Sequence, residues 1–556
     1  MYCPSLCLSC RSAFDLALKE FIINNLFHFG IRDQGLVLID QRLANRQTVC
    51  EWNKVLMGPI KDQCGVEQGG INSSDFYKIY NNEQLDLAQS SEFGIEPGPV
   101  VISSIGQADD VTLLAYNLYA LQGLVDLTQY YCKKYCVSLS TEKTKLQVYS
   151  ASNQGSETFL ARCTSLLNVN GDPIEFVDKT EHVGILRSPS GNLPHILSRI
   201  TAHRRALFSI LPSGIAMAHR GNPAVNLRTH SIYCTPVLFS GVASLKLSSS
   251  EVTLLDQHVK ITIQRLQKLQ DKTPHCVCLF MGGHLPGRAL YHIRMFSLFS
   301  MIARTPGSYL NQIAYYQLTC AKLSSGSWFL TLRDLCLKYS LPSPLSLLQY
   351  PMTKSKFKNL VKARIIDYWE AYYRTEAQKL STASLKYFKP EFMSLSHPHK
   401  IWTTCGSNPF EIHKAVIQAR MLSGRYITDR LSRHWMQNQS GLCTIPGCTG
   451  LGIGSLEHYL LFCPALSQAR SKVISLLKKV AAESDLIGNI IEKVFTKQTP
   501  EHIVQFLLDC TSFPDIILLE QSGNIALVEQ IFHVCRTWCY TMHRSRMNKL
   551  GLFQFR

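Results

Sequence analysis

Apolar residues recur at helical spacing along most of this chain, and period-two runs are confined to its first third. "SAFDLALKEFIINNLFHFGI", residues 12–31, carries apolar positions at helical period and closes at a glycine, which predicts helix. "GPVVISSIGQADDVTLLAY", residues 98–116, reads as strand, tight turn, strand. "LQGLVDLTQYYCKKYCVSLS" follows, with Leu121, Leu124, Val125, Thr128, Tyr131, Cys132 and Tyr135 on one helical face. "KTKLQVYS" and "EHVGILRS" read as short strands, so the first 190 residues are α+β. The remainder is mostly helical, with basic amphipathic stretches such as "LPHILSRITAHRRALFSIL" and "VTLLDQHVKITIQRLQKLQ". Pro/Gly/Ser-rich breaks fall at 281–288, 305–308 and 339–346, and residues 440–465 form a compact Cys/His segment before a helical tail.

The length of 556 residues allows three or four domains of about 150 residues each. A content of 46% hydrophobic and 17% charged residues suits a globular chain rather than a disordered one. No apolar run approaches the ~18 residues that span a bilayer. The first residues lack a basic region followed by an apolar core, so no signal peptide is read there. A formal net charge of +17 favours polyanionic partners, nucleic acid above all, against the plainer meaning of a basic surface. Most of the 20 cysteines, such as Cys132, Cys136, Cys535 and Cys539, read as reduced, buried, small hydrophobes.

Asp109 and Asp110 sit side by side in the predicted turn. Adjacent carboxylates at a hairpin tip suit Mg²⁺, which takes one or two carboxylates together with substrate phosphates. An isolated pair of this kind is more commonly an ordinary exposed turn. The order of the surrounding segments adds to it: "CRSAFD", then "GVEQGGINSSDFYKIY", then "GQADDVTLLA", "STEKTKLQVY" and "EHVGILRS".

In that order and spacing the chain resembles the reverse transcriptases of non-LTR (LINE-type) retrotransposons, in the C-terminal part of their polyprotein. The segments correspond to the first palm motif, the Gln-Gly motif, the Ala-Asp-Asp hairpin, the lysine motif and the primer-grip strand. The resemblance implies a palm over residues 1–190, with the fingers missing. A helical thumb over 191–300, a helical connector over 301–435, a zinc segment over 436–470 and a helical tail over 471–556 would follow. It implies template-directed nucleotidyl transfer by two Mg²⁺ ions. Asp109 would be a principal ligand, with Asp110 adjacent. Lys143 would lie near the incoming phosphates as a catalytic group. Phe14 would screen the sugar 2′ position, and Gln68 and Gly69 would border nucleotide and template. An RNA template, a DNA primer or target DNA and deoxynucleoside triphosphates would be the partners, with no membrane, in the nucleus or cytoplasm.

The chain departs from the family at Ser9, where the first motif has a metal-binding Asp six residues before the Asp of "AFD", here Asp15. A neutral hydroxyl in a site that gathers two dications predicts impaired catalysis. Asp15 belongs to the following helix and is no substitute. "YCPSLCLSC" reads as a poor strand, so Met1–Cys10 is either a spurious leader or the edge of a domain that binds without polymerising. A non-catalytic nucleic-acid-binding protein and a decayed gene product without a stable fold therefore remain beside the polymerase reading.

"CTIPGCTGLGIGSLEHYLLFC" supplies Cys443, Cys448, His458 and Cys463, as C-x4-C, nine residues, then H-x4-C. Three thiolates and an imidazole can close a tetrahedral structural Zn²⁺ site, and the family has a similar segment. The alternative is four unrelated residues in a cysteine-rich chain. Cys3, Cys7 and Cys10 lack a fourth ligand and are read as incidental. Arg199, His203, Arg204 and Arg205 form a basic helix that either tracks a template–primer backbone or is simply a solvated face.

Overall fold

The computed structural model describes residues 2–8, 10–11, 13–67, 69–150, 167–210, 221–322, 326–381, 385–432, 440–448 and 452–552. Its first part is built on β1 (Tyr2–Leu8), which lies in the middle of a five-stranded sheet. After β1 come α1 (Ala13–Leu16), α2 (Lys19–His28) and α3 (Asp33–Ala44). The exposed hairpin β2 (Gln47–Trp52) and β3 (Val55–Lys61) leads to α4 (Ser73–Ser90). Next are β4 (Ser104–Gln107), β5 (Asp110–Leu114), α5 (Leu118–Lys134), β6 (Lys145–Ser150) and β7 (Glu175–Phe176). The strand order is β7-β6-β1-β5-β4, antiparallel except for β7 with β6.

The poor strand expected at the start is thus the central one. Its ladder to β5 begins at Ser5, one residue past Pro4, which has no amide proton to give. Pairing on both edges and burial of Leu6 and Leu8 outweigh its weak β propensity. The stretch 12–31 is two helices rather than one, broken at Ala17–Leu18, and Gly30 with φ 91° closes the second in the left-handed region. The seven-residue face read on α5 is buried throughout, and Asn117 caps this helix by accepting from the Ala120 amide at 2.8 Å. Cys136 is not a core thiol: it follows α5 with φ 54° and is exposed.

"EHVGILRS" is not one strand but the hairpin β8 (Thr180–His182) and β9 (Ile185–Arg187). Val183 and Gly184 turn between them at φ 51° and 71°, a turn whose twist suits two-residue hairpins and for which Val gives no sequence signal.

Beyond this lie α6 (Leu193–Ile210), α7 (Pro223–Thr229) and α8 (Ser249–Leu266), the last opened by a Ser248–Glu251 capping box. The breaks at 281–288 and 305–308 separate α9 (His275–Gly282), α10 (Gly287–Ala303) and α11 (Tyr309–Cys320). Then follow α12 (Trp328–Lys338), α13 (Lys354–Ser381) and α14 (Pro409–Leu422). The chain closes with α15 (Ser467–Glu483), α16 (Asp485–Lys497), α17 (Pro500–Leu508) and α18 (Ile525–Lys549). One apolar cluster fills the sheet region, and another takes in Val100 and runs from Ile196 to Met542. Among the described residues no helix is long and apolar enough to cross a membrane.

His203 does not lie on a basic face. It falls with Ile196, Ile200 and Leu207 on the buried stripe of α6. Its two ring nitrogens meet His230 at 2.9 Å and His258 at 3.0 Å. Arg204 and Arg205 are exposed, and Arg199 is half-buried.

Candidate active site and metal centre

The β4–β5 hairpin has a two-residue tip, Ala108–Asp109, closed by the Gln107–Asp110 pair. Ala108 takes φ 56°, and its carbonyl accepts from Asn81 Nδ2 on α4 at 3.3 Å. Both carboxylates are half-buried. Burial raises the Asp109 carboxyl above its ordinary value and the charge of Asp110 adds to the rise, while its own backbone hydrogen bond and Lys143 oppose it. A desolvated carboxylate beside a like charge is stabilised by a cation, so the pair fits the divalent metal the resemblance implies. On the neighbouring strand Leu8 pairs with Val111, the residue after Asp110. Ser9 and Gln68 lie outside the described residues.

The segment before Gly69 is strapped to the chain around Phe14. The Val66 amide donates to the Phe14 carbonyl and the Gly65 amide to that of Ala17, both at 2.7 Å. Phe14 stacks on Tyr77 of α4, ring centroids 5.0 Å apart at 17°. Tyr77 and Asn81 are one helical turn apart, about 6 Å along α4, so one face of this helix holds both Phe14 and the carboxylate turn. Gly69 has φ 85°, is exposed, and has open space where a side chain would stand.

Gly65 was not singled out by the sequence. Its signal is the close approach of two backbones at φ 86°, where an added Cβ would lie 2.6 Å from the Asp15 carbonyl oxygen. Gly65→Ala is therefore expected to destabilise the sheet region by about 2 kcal/mol. An unchanged urea midpoint would show that the strap is not under this constraint.

The β8–β9 hairpin packs on the same sheet. His182 Nδ1 lies 3.4 Å from Thr112 Oγ1, and Thr180 donates to Gln147 at 2.7 Å. His182 is held below the ordinary imidazole range by burial and by Arg187, against the pull of Asp110.

The second site draws together Cys443, Cys448, His458 and Cys463, whose ligand atoms all lie within 4.8 Å of one another. Cys443 and Cys463 Sγ are 4.0 Å apart, and Cys448 Sγ is 3.6 Å from His458 Nε2. A tetrahedron of Zn–S bonds has edges of about 3.8 Å, so the donor set suits zinc. Burial pushes the Cys443 thiol up to about 12, and the other two thiols add to it, a repulsion that a bound dication reverses.

Local geometry explains the spacing. His458–Phe462 is one turn of π-helix, so the Cys463 amide donates back to the His458 carbonyl at 2.7 Å and both ligands face one way. Gly452 leaves room for the imidazole, since a Cβ there would lie 2.7 Å from it. Asp429 buttresses the site: it accepts from the Thr444 amide at 2.8 Å and Tyr459 hydroxyl at 2.7 Å, and Arg546 of α18 stands 3.5 Å away.

With this geometry in place, comparison shows that residues 1–176 match the family model described as reverse transcriptase (RNA-dependent DNA polymerase). The palm-type α+β region agrees with that family, whose membership implies nucleic acid, nucleoside triphosphates and divalent metal. No curated protein matches the chain.

Proposed function

We propose that this chain is an RNA-directed DNA polymerase of the non-LTR retrotransposon type, with a nucleotidyl-transfer site weakened by Ser9. The observation that carries the reading is the half-buried Asp109–Asp110 turn, held by Asn81 and within the field of Lys143. Mg²⁺ held by Asp109 and Asp110 would neutralise the charge that gathers on the attacking primer oxygen and the leaving phosphate. The protein's own groups do the positioning. Phe14, fixed against Tyr77, gives a flat wall for the sugar of the incoming nucleotide. Gly69 lets backbone approach that nucleotide and its template base, with Gln68 beside it. Lys143 offers a cation, and a proton, to the triphosphate. The Cys443–Cys448–His458–Cys463 set would hold a structural Zn²⁺.

The test is primer extension on an RNA template with Mg²⁺, using the full chain. Asp109→Ala is expected to lower any residual extension by on the order of a hundredfold or more. Ser9→Asp is expected to raise extension by a comparable factor. Extension indifferent to both changes would refute the site. A second reading is favoured by Ser9 itself: a protein that keeps template–primer binding without polymerising. Retained binding with no extension even in Ser9→Asp would select it.

A further inference from the structure

We infer that the N-terminal half of α13, in the helical connector, is a separate binding surface for the phosphate backbone of a nucleic-acid strand. Phe357, Val361, Ile365, Trp369 and Tyr373 form the buried stripe of this helix, at four-residue spacing. On an exposed ridge Lys354, Lys358 and Lys362 repeat at the same spacing, one ammonium per helical turn, about 6 Å of rise. Lys356 and Arg364 are exposed beside them. From Cys336 to Ile366 the chain contains no acidic residue. Among the described residues none of these five cations has an ion-pair partner in the fold.

This arrangement works against the helix. Lysines four apart repel one another, and cations in the first turn oppose the positive end of the helix dipole. Among the described residues no acid pairs with them, Asp367 at the far end of the ridge included, so a polyanion that follows the ridge relieves the strain. Charge complementarity alone also admits an anionic membrane. The exposed residues between the lysines are Ser355, Asn359 and Ala363, which offer no apolar face to insert. Tyr350, 78% exposed just before the helix, offers a ring on which a base can stack. A strand with regularly spaced phosphates is the occupant these features fit. The surface lies outside the palm and does not depend on polymerisation.

The experiment is a salt titration of the full chain binding a labelled single-stranded RNA, with no nucleotide and no divalent metal, so that its outcome is separate from primer extension. In the triple variant Lys354→Gln, Lys358→Gln, Lys362→Gln, the slope of log affinity against log salt is expected to become shallower by about 2, at about 0.7 per phosphate contact. Affinity at low salt is expected to fall at least tenfold. The corresponding Lys→Arg triple is expected to keep the wild-type slope. Asn359→Asp with Ala363→Glu, which places negative charge on the ridge without removing a lysine, is expected to weaken binding as well. Wild-type slopes in both the glutamine and the acidic variants overturn the proposal. So does an absence of RNA binding by the wild type, or a loss confined to phosphatidylserine vesicles or to acidic peptides.

Discussion

Withholding zinc from the chain, or replacing Cys463 by Ser, is expected to destabilise the packing around the Cys/His turn, α15 and α18. The reason is the way the site is sewn into its surroundings. Trp538 Nε1 donates to the Leu460 carbonyl at 3.3 Å, and Arg470 donates to the carbonyls of Leu461 and Cys463. Arg546 reaches Asp429 and lies 4.4 Å over the Tyr459 ring. Cys463 and Leu460 are fully buried, so loosening this turn opens the packing of α15 and α18. Structural zinc contributes roughly 10 kcal/mol or more in small modules, and a loss of even about 4 kcal/mol lowers the midpoint of a unit of about 150 residues by about 10 °C. Metal analysis with thermal denaturation of wild type and Cys463→Ser decides it. One zinc per chain and a large fall in midpoint are expected; absence of metal from a chain of unchanged midpoint would remove zinc from the account.

The second large effect is acid lability. Burial holds His203 and His258 near 4, His275 and His292 near 3 and His543 near 4, against an ordinary value of 6.5. Neighbouring charges act the same way. They include Arg204 and Arg265 at His258, Lys260 and His284 at His275, Lys338 and Arg288 at His292, and Arg546, His413 and Arg420 at His543. Each imidazole is neutral in the fold, whereas in the unfolded chain it takes a proton as pH falls through 6.5. Stability is therefore complete above 6.5 and is lost between about 6.5 and about 4 to 3. A shift from 6.5 to about 4, as at His203, is worth about 3 kcal/mol once both states are protonated. Urea midpoints are expected to fall steeply from pH 7 to pH 5, before most carboxylates titrate. A flat profile over that interval would contradict the burial of these rings as neutral species.

Much of this was legible in the residues. The α5 face, the hairpin that carries Asp109 and Asp110 and the Cys₃His grouping all follow from local spacing, because a helix stripe, a hairpin and a Cys/His loop are short-range objects; only Asp109 is in the tip, while Asp110 opens β5. What stayed hidden is non-local. Whether Tyr2–Leu8 is a strand is decided by partners more than a hundred residues away, which outweigh its own composition. The hairpin at Val183 hides because a β-branched residue seldom accepts positive φ. His203 was misread by association with its basic neighbours. Its spacing from Ile196 and Ile200 already put it on the apolar side, where the chemistry of an imidazole turns from phosphate contact to pairing with another imidazole.

A strand that lies between two later strands also sets an order of events in synthesis. β1 leaves the ribosome before either neighbour, and its last ladder partner is Ser150. Until β5 has emerged both edges of a strand carrying Leu6 and Leu8 are open to other chains, and the edge that β6 covers stays open until Ser150 has emerged. At a synthesis rate of about 5 to 20 residues per second, this exposure lasts roughly 10 to 30 seconds. Slowing translation between β5 and β6 lengthens that interval, and a holdase acting on the nascent chain covers it.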